Sequence, residues 1–302
     1  MSENFGYLLA RATALHAASS MRPVVRHSPF TGTALHTSQA CVHADVLPQQ
    51  LLEAVHQQVA AIPKGREGTT WLGARIQPRT PVEHAIRFLE HLVAPPKDYA
   101  GCEWWVQRIS LPKRPEMQLH WDKDECEAAR REQWTHPALA SVLYLTDSGG
   151  PTVVLPVTVD SASTAQQRLD GDIFAIFPRM NRFLTFQGNL LHGVAPRHFN
   201  PGTRLTLLIN WWRGQPEAPC CQPASLVHTI ADCGVDVGQK PTVYTSSMVA
   251  ASQRQTIEGD MVLDLQLPGL SGGGSLRLRA PWAEDGTGAE PGTFVRWTAS
   301  EA

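Results

Sequence analysis

The chain has 302 residues, enough for one large β-rich domain with extensions or for two ordinary domains. Its 26 basic and 28 acidic residues give a net charge of -2, which excludes the overall basic field typical of nucleic-acid-binding and anionic-membrane-binding proteins. No run of about 18 apolar residues occurs, so no transmembrane helix is predicted. We expect an intracellular protein, cytoplasmic unless an N-terminal signal directs it to an organelle.

The first third of the chain divides into an arm and a helical region. The arm, residues 1–40, contains the acid-free stretch "LLARATALHAASSMRPVVRHSPF", which has the composition of an organelle transit peptide; an irregular arm is the alternative. Residues 41–100 contain two apolar patterns of helical period. The first, "DVLPQQLLEAVHQQVAAI", has Asp45 as its predicted cap, and the second, "TPVEHAIRFLEHLV", opens with a capping box of Thr80 and Glu83.

Residues 101–213 consist of short β-type runs separated by turn signals, which predict an antiparallel sandwich or barrel. One charged segment among them, "ECEAARREQW", is predicted to be a short helix. The proline-rich "RGQPEAPCCQPAS" is the predicted linker to a β-rich C-terminal extension, residues 226–302, where "SGGG" joins two further strands. The six cysteines show no CxxC pattern and are expected to be reduced thiols.

A histidine and an acid follow one of these runs, in "MQLHWDKDE". His120 and Asp122 would project to the same side of an extended segment and chelate one ion, although such a triplet is common by chance. Asp124 is the alternative carboxylate, and we interpret it as a surface or lid residue. A second histidine, His192, ends a later apolar run in "GNLLHGVAP". Two histidines and one carboxylate are the facial triad of non-haem Fe(II) oxygenases.

An arginine begins the last run of this region, "GTRLTLLINWW". Strand alternation places Arg204 on the face opposite Leu205 and Leu207. An arginine inside a small β-barrel is costly unless it binds an anion, and the co-substrate of facial-triad chemistry is a dicarboxylate.

From about Trp104 to Trp212 the chain resembles the Fe(II)/2-oxoglutarate-dependent dioxygenases, and within them the prolyl-4-hydroxylase-like branch. The motifs occur in the family's order: "HWD", "SVLYLTDSGGPTVVLP", "GDIFAIFP", "HGVAP" and "RLT". The resemblance implies a mainly β protein with a double-stranded β-helix (jelly-roll, cupin-like) core, flanked by the N-terminal helices and the C-terminal extension.

The resemblance also implies a role for each candidate residue. Three would hold Fe(II): His120, Asp122 and His192. Three would bind the distal carboxylate of 2-oxoglutarate: Arg204, Thr206 and Tyr144. The implied reaction couples oxidative decarboxylation of 2-oxoglutarate to succinate with hydroxylation of an unactivated C–H bond, with O2 as oxidant and ascorbate as a further cofactor. Hydroxylation is favoured because family members that halogenate carry a small residue in place of Asp122.

The substrate is not specified by these motifs. Collagen-type prolyl-4-hydroxylases carry lysine where this chain has Arg204, so a peptidyl proline and a small amino-acid-like molecule are both expected classes. Thr152 follows the "GG" turn and is interpreted as an ordinary strand residue, with contact to the co-substrate as the alternative. Of each tryptophan doublet, one ring is expected in the core and the other is free to line a substrate cleft: Trp104 with Trp105, and Trp211 with Trp212.

Two other functions stay open at this point. A zinc-dependent hydrolase or isomerase on a cupin-like barrel would use the same three ligands. A non-catalytic binding module would keep the barrel without the chemistry. The position of Arg204 and the presence of all three ligands favour the dioxygenase over both.

Overall fold

The computed structural model describes residues 40–63, 68–110, 117–131, 134–158, 172–195, 202–217, 260–266, 275–281 and 294–298. The helices are α1 (Gln49–Ala61), α2 (Pro81–Val93) and α3 (Glu125–Arg131). The strands are β1 (Ala40–His43), β2 (Thr70–Gly73), β3 (Gly101–Ser110), β4 (Met117–His120), β5 (Leu139–Tyr144), β6 (Thr152–Val154), β7 (Asp172–Ile176), β8 (Phe183–Gln187), β9 (His192–Val194), β10 (Thr203–Trp212), β11 (Asp260–Gln266), β12 (Ser275–Pro281) and β13 (Phe294–Thr298). The predicted transit-like arm and most of the predicted linker lie outside the described residues.

Two antiparallel sheets form the core. One has six strands in the order β1-β8-β5-β10-β3-β2, and the other has five in the order β13-β7-β6-β9-β4. From β3 to β10 the chain crosses repeatedly between the two sheets, and this interleaving of eight strands is the jelly-roll arrangement. The predicted mainly β fold with a double-stranded β-helix core is confirmed.

Helices α1 and α2 cover the outer face of the six-stranded sheet. Apolar residues of α1 and α2 pack in one buried cluster with odd-numbered residues of β10, among them Leu207 and Ile209. A second cluster lies between the sheets and includes Val142, Phe174 and Phe186. Both faces of β10 are therefore covered, and its even-numbered residues point between the sheets.

The beginnings of the two longer helices differ in their capping. At α2 the predicted capping box is confirmed, because the Thr80 side chain accepts a hydrogen bond from the Glu83 amide and the Glu83 carboxylate accepts one from the Thr80 amide. The prediction that Asp45 caps α1 is wrong. The N-cap residue of α1 is Pro48, with φ -57° and ψ 144°, and proline has no side-chain oxygen to cap the helix.

Several other sequence predictions can be compared with the described residues. The short helix α3 and the two strands on either side of "SGGG" are confirmed. The structure adds that β11 pairs with β12 and that β13 pairs with β7 at the edge of the five-stranded sheet. Three cysteines are free thiols, as expected: Cys41, Cys102 and Cys126. No helix in the described part of the chain is long and apolar enough to cross a membrane.

The tryptophan doublets behave differently from each other. Trp104 is buried in the core and Trp105 is half-buried and faces the space between the sheets, which matches the expectation of one ring on each side. Trp211 and Trp212 are both buried, so the expectation that one ring of this doublet lines a cleft is wrong. The reason is that both faces of β10 are covered at this end of the strand.

Candidate metal centre

Two neighbouring strands bring the predicted histidines together. His120 ends β4 and His192 begins β9, and the two residues are paired in the antiparallel register of these strands. Their ring centroids lie 4.6 Å apart. Asp122 follows β4 in the loop that leads to α3, and its Oδ1 and Oδ2 lie 3.6 Å from His120 Nε2 and 3.5 Å from His192 Nε2. The three side chains each offer a ligand atom within 4.8 Å of the others.

Burial favours the neutral form of His192, in which one ring nitrogen keeps a lone pair that can bind a metal. Its Nδ1 donates a hydrogen bond to the Leu190 carbonyl oxygen at 2.9 Å, which leaves the lone pair on Nε2, the atom next to Asp122. Burial lowers the pKa of His192, and the neighbouring Asp122 carboxylate opposes that shift in part. A neutral imidazole fixed through its other nitrogen is the form in which histidine binds metals.

Asp122 itself is held at two points that the sequence did not predict. Asn210 Nδ2 donates to Asp122 Oδ2 at 3.1 Å, and His136 Nδ1 donates to the Asp122 backbone oxygen at 2.6 Å. Trp121, the residue before Asp122, is also fixed, because its Nε1 donates a hydrogen bond to the Val157 carbonyl oxygen at 3.1 Å. The signal for Asn210 was its even-numbered position on β10, on the same face as Arg204.

Asp124 does not join this group. Its carboxylate accepts hydrogen bonds from the backbone amides of Cys126 at 3.0 Å and Glu127 at 3.1 Å, and it also accepts one from the Glu217 amide. The residue is 4 % exposed, so the interpretation of Asp124 as a surface or lid residue is wrong. A carboxylate at a helix start satisfies free amides and the helix dipole, and here it caps α3.

Arg204 lies between the sheets, 1 % exposed. Its Nη1 donates to Gln107 Oε1 at 2.9 Å and to Thr206 Oγ1 at 3.2 Å, and its Nη2 donates to Thr152 Oγ1 at 2.8 Å. All of these acceptors are neutral, and its buried Nε has no hydrogen-bond partner among the described residues. Burial lowers the pKa of Arg204, yet a guanidinium stays charged in proteins, so the site holds a positive charge that no carboxylate of the described residues balances.

Tyr144 completes the polar lining around the arginine. Its hydroxyl lies 2.6 Å from Thr152 Oγ1 and 3.2 Å from the Ile176 carbonyl oxygen, and the Arg204 guanidinium carbon lies 5.3 Å from its ring centroid. Burial raises the pKa of Tyr144, which keeps the hydroxyl protonated. The interpretation of Thr152 as an ordinary strand residue is wrong, because its hydroxyl accepts from the guanidinium and lines the pocket.

A close approach of the chain to Arg204 explains the "GG" of the strand-turn-strand motif. A Cβ added at Gly149 would lie 2.3 Å from Arg204 Cβ, and the Gly149 φ of +99° is one that other residues rarely adopt. A Cβ at Gly150 would lie 1.9 Å from the Ala195 carbonyl oxygen. The two glycines therefore let this turn pack directly against the arginine and the end of β9.

One pocket connects the histidines with the arginine. It encloses about 400 Å³ of empty space, part of it open to solvent. Its lining includes all three candidate ligands and, on the six-stranded sheet, Trp105, Gln107, Leu208, Asn210 and Arg204. The structure thus brings four of the six predicted site residues to the lining of one pocket: His120, Asp122, His192 and Arg204. The other two, Thr206 and Tyr144, are fully buried and contact Arg204.

No protein-family model matches the chain, and no curated protein matches it. Solved structures with a similar arrangement include a Pseudomonas putida prolyl-4-hydroxylase, with 15% identity over 59% of this chain and 95% of that chain and a TM-score of 0.40. A viral collagen prolyl hydroxylase from Paramecium Bursaria Chlorella virus-1 has 15% identity over 57% and 89% of the two chains and a TM-score of 0.36.

A third similar structure is HygX from Streptomyces hygroscopicus with nickel and 2-oxoglutarate bound, with 16% identity over 58% of this chain and 82% of that chain and a TM-score of 0.37. The residues that line the pocket of this chain are the basis for inferring its function.

Proposed function

We propose that this protein is an Fe(II)- and 2-oxoglutarate-dependent dioxygenase that hydroxylates an unactivated C–H bond. One observation carries the proposal. A donor set of two imidazoles and one carboxylate shares a pocket with a buried guanidinium that has no acidic partner among the described residues. The first feature suits a metal with open coordination positions, and the second suits an anionic ligand.

The donor set fits Fe(II) in its chemistry. His120, Asp122 and His192 would hold the ion through two nitrogens and one oxygen, the combination used by non-haem iron oxygenases. When bound, the iron supplies the oxygen activation that no protein side chain can perform. Asp122 fills the carboxylate position, which leaves no room for a halide ligand and favours hydroxylation over halogenation.

The arginine end of the pocket fits the distal carboxylate of 2-oxoglutarate. Arg204 would supply the charge and a planar fork of donors, and the hydroxyl of Thr206 would add a hydrogen bond from the same strand face. Thr152 accepts a hydrogen bond from the guanidinium at the pocket lining, and the Tyr144 hydroxyl donates to Thr152. Because the guanidinium is almost completely desolvated, its attraction for a carboxylate is stronger here than at a surface.

The balanced reaction consumes one O2 and one 2-oxoglutarate for each substrate C–H bond. One oxygen atom enters succinate as CO2 leaves the keto acid, and the other becomes the hydroxyl group of the product. Within this reaction the chain's own groups bind and orient: the triad side chains hold the metal, and Arg204 holds the co-substrate. A zinc hydrolase would need only water at the metal, so the buried, unbalanced Arg204 favours the dioxygenase.

The proposed substrate is a peptide or a small amino-acid-like molecule that enters from the open side of the pocket. Trp105 is half-buried, lines the same pocket as the three candidate metal ligands and offers a flat apolar surface.

Anaerobic titration of the full-length protein with Fe(II) and then 2-oxoglutarate tests the proposal. A keto acid chelated to iron gives a visible charge-transfer band, so we expect a band that requires both additions and that zinc does not produce. A matched titration with succinate, which cannot chelate through a keto group, should give none. Absence of the band at saturating Fe(II) and 2-oxoglutarate would contradict the proposal.

A further inference from the structure

The three candidate ligands are not held equally well by the backbone. His120 and His192 belong to paired strands, β4 and β9. Asp122 lies in residues 121–124, which form neither helix nor strand. The direction of its carboxylate therefore depends on side-chain contacts, and a carboxylate that rotates freely is a poorer metal ligand because binding must then restrict it.

Asn210 is a rigid donor for that carboxylate. It lies within β10, which is paired with β5 on one side and β3 on the other, opposite Ala140 and Glu103. It is 4 % exposed, and its Nδ2 donates to Asp122 Oδ2 at 3.1 Å. The small side chain of Ala140 lines the same pocket and leaves space for the longer amide.

The contact also joins the two sheets. Asp122 follows a strand of the five-stranded sheet, whereas Asn210 belongs to the six-stranded sheet. His136 holds the backbone oxygen of the same aspartate, so the residue is fixed at both its main chain and its side chain. The loop that carries the acidic ligand is thereby tied to the wall that carries Arg204.

We propose that Asn210 is a positioning residue that sets the orientation of the Asp122 carboxylate for metal binding. This inference rests on the proposed function of the site. An amide is suited to the role because it donates a hydrogen bond without bringing a charge. A lysine or arginine in the same place would neutralise the carboxylate and compete with the metal.

Replacement of Asn210 by leucine tests this role, because leucine has a similar size and shape but no donor. We measure Mn(II) affinity of the full-length protein by isothermal titration calorimetry, so that the readout does not depend on turnover. Loss of a group that orients a metal ligand typically weakens metal binding about 10- to 100-fold, and that is the expected change for Asn210→Leu. Thr203→Ala is the matched control on the same strand; it is exposed and should leave Mn(II) affinity unchanged.

Two further measurements separate positioning from a general role in the fold. The melting temperature of the metal-free Asn210→Leu protein should stay within about 4 °C of wild type. In the Asp122→Ala background the same replacement should have no additional effect on Mn(II) affinity, because the group it orients is gone. A large loss of melting temperature, or an equal effect in both backgrounds, would overturn the positioning role.

The outcomes also separate this inference from the proposed function. If Asp122→Ala weakens Mn(II) binding, with His120 and His192 still present to give a measurable affinity, but Asn210→Leu binds within twofold of wild type, the metal site stands and the role of Asn210 is refuted. If Asp122→Ala itself binds Mn(II) as well as wild type, the metal site is elsewhere and both proposals fail.

Discussion

Removing the charge of Arg204 should weaken 2-oxoglutarate binding far more than it weakens substrate or metal binding. Because the side chain is 1 % exposed, Arg204→Met is the better perturbation than alanine, since methionine keeps most of the buried volume. Arg204→Lys keeps the charge but loses the planar fork that donates to Gln107, Thr206 and Thr152.

The size of the effect follows from the burial of the guanidinium. A carboxylate that binds here would be left without its cationic partner in the methionine variant, and truncating one partner of a buried charge pair costs about 2 to 5 kcal/mol. That range corresponds to an increase of about 30-fold to several thousand-fold in the apparent KM for 2-oxoglutarate. The lysine variant should fall between wild type and Arg204→Met.

The assay is succinate formation as a function of 2-oxoglutarate concentration at saturating Fe(II). Arg213→Met is the matched control, because Arg213 follows the same strand but is exposed and pairs with Asp98. It should leave the keto-acid dependence unchanged. An Arg204→Met protein with the wild-type KM for 2-oxoglutarate would refute the assignment of the anion site.

Three other changes should have distinct signatures. His120→Ala should abolish Fe(II)-dependent succinate formation with little change in melting temperature, because the side chain is 33% exposed; retained turnover would remove it from the ligand set. Gly149→Ala should lower the melting temperature and raise the KM for 2-oxoglutarate, since the new Cβ would meet Arg204, whereas Gly214→Ala has nothing within 4 Å and should change neither. Thr80→Ala should destabilise the protein by about 0.5 to 2 kcal/mol in urea unfolding through loss of the α2 cap, without changing either metal or keto-acid affinity.

The residues with distinctive chemistry were the ones that sequence reasoning could place. A histidine two positions before an acid is common by chance, but its combination with a later histidine at a strand end and an arginine in phase with a buried face has few structural uses. Strand alternation then correctly put Arg204 opposite Leu205 and Leu207, because a β-barrel buries one side of each strand against the other sheet.

The residues that sequence reasoning missed have side chains with many ordinary uses. Asn210 and Gln107 are amides within strands. The strand phase puts Asn210 on the same face as Arg204, but it does not show that either amide contacts a residue of the site. Thr152 follows the turn at Gly149 and Gly150, which packs closely against Arg204. Which face of β6 the Thr152 side chain lies on depends on that turn and cannot be predicted from residue spacing in the sequence. Asp124 sits among charged residues, so its burial as a helix cap was hidden by its neighbours.

Consumption of 2-oxoglutarate in air, measured as succinate with and without Fe(II), tests the proposed function most directly. The full-length protein is incubated with a pool of peptides and free amino acids, and Asp122→Ala serves as the site variant with Asp98→Ala, an exposed acid, as its control. We predict succinate formation that requires Fe(II), persists in Asp98→Ala and is lost in Asp122→Ala. Succinate no higher than in a protein-free control, or equal amounts from wild type and Asp122→Ala, would contradict a dioxygenase at this site.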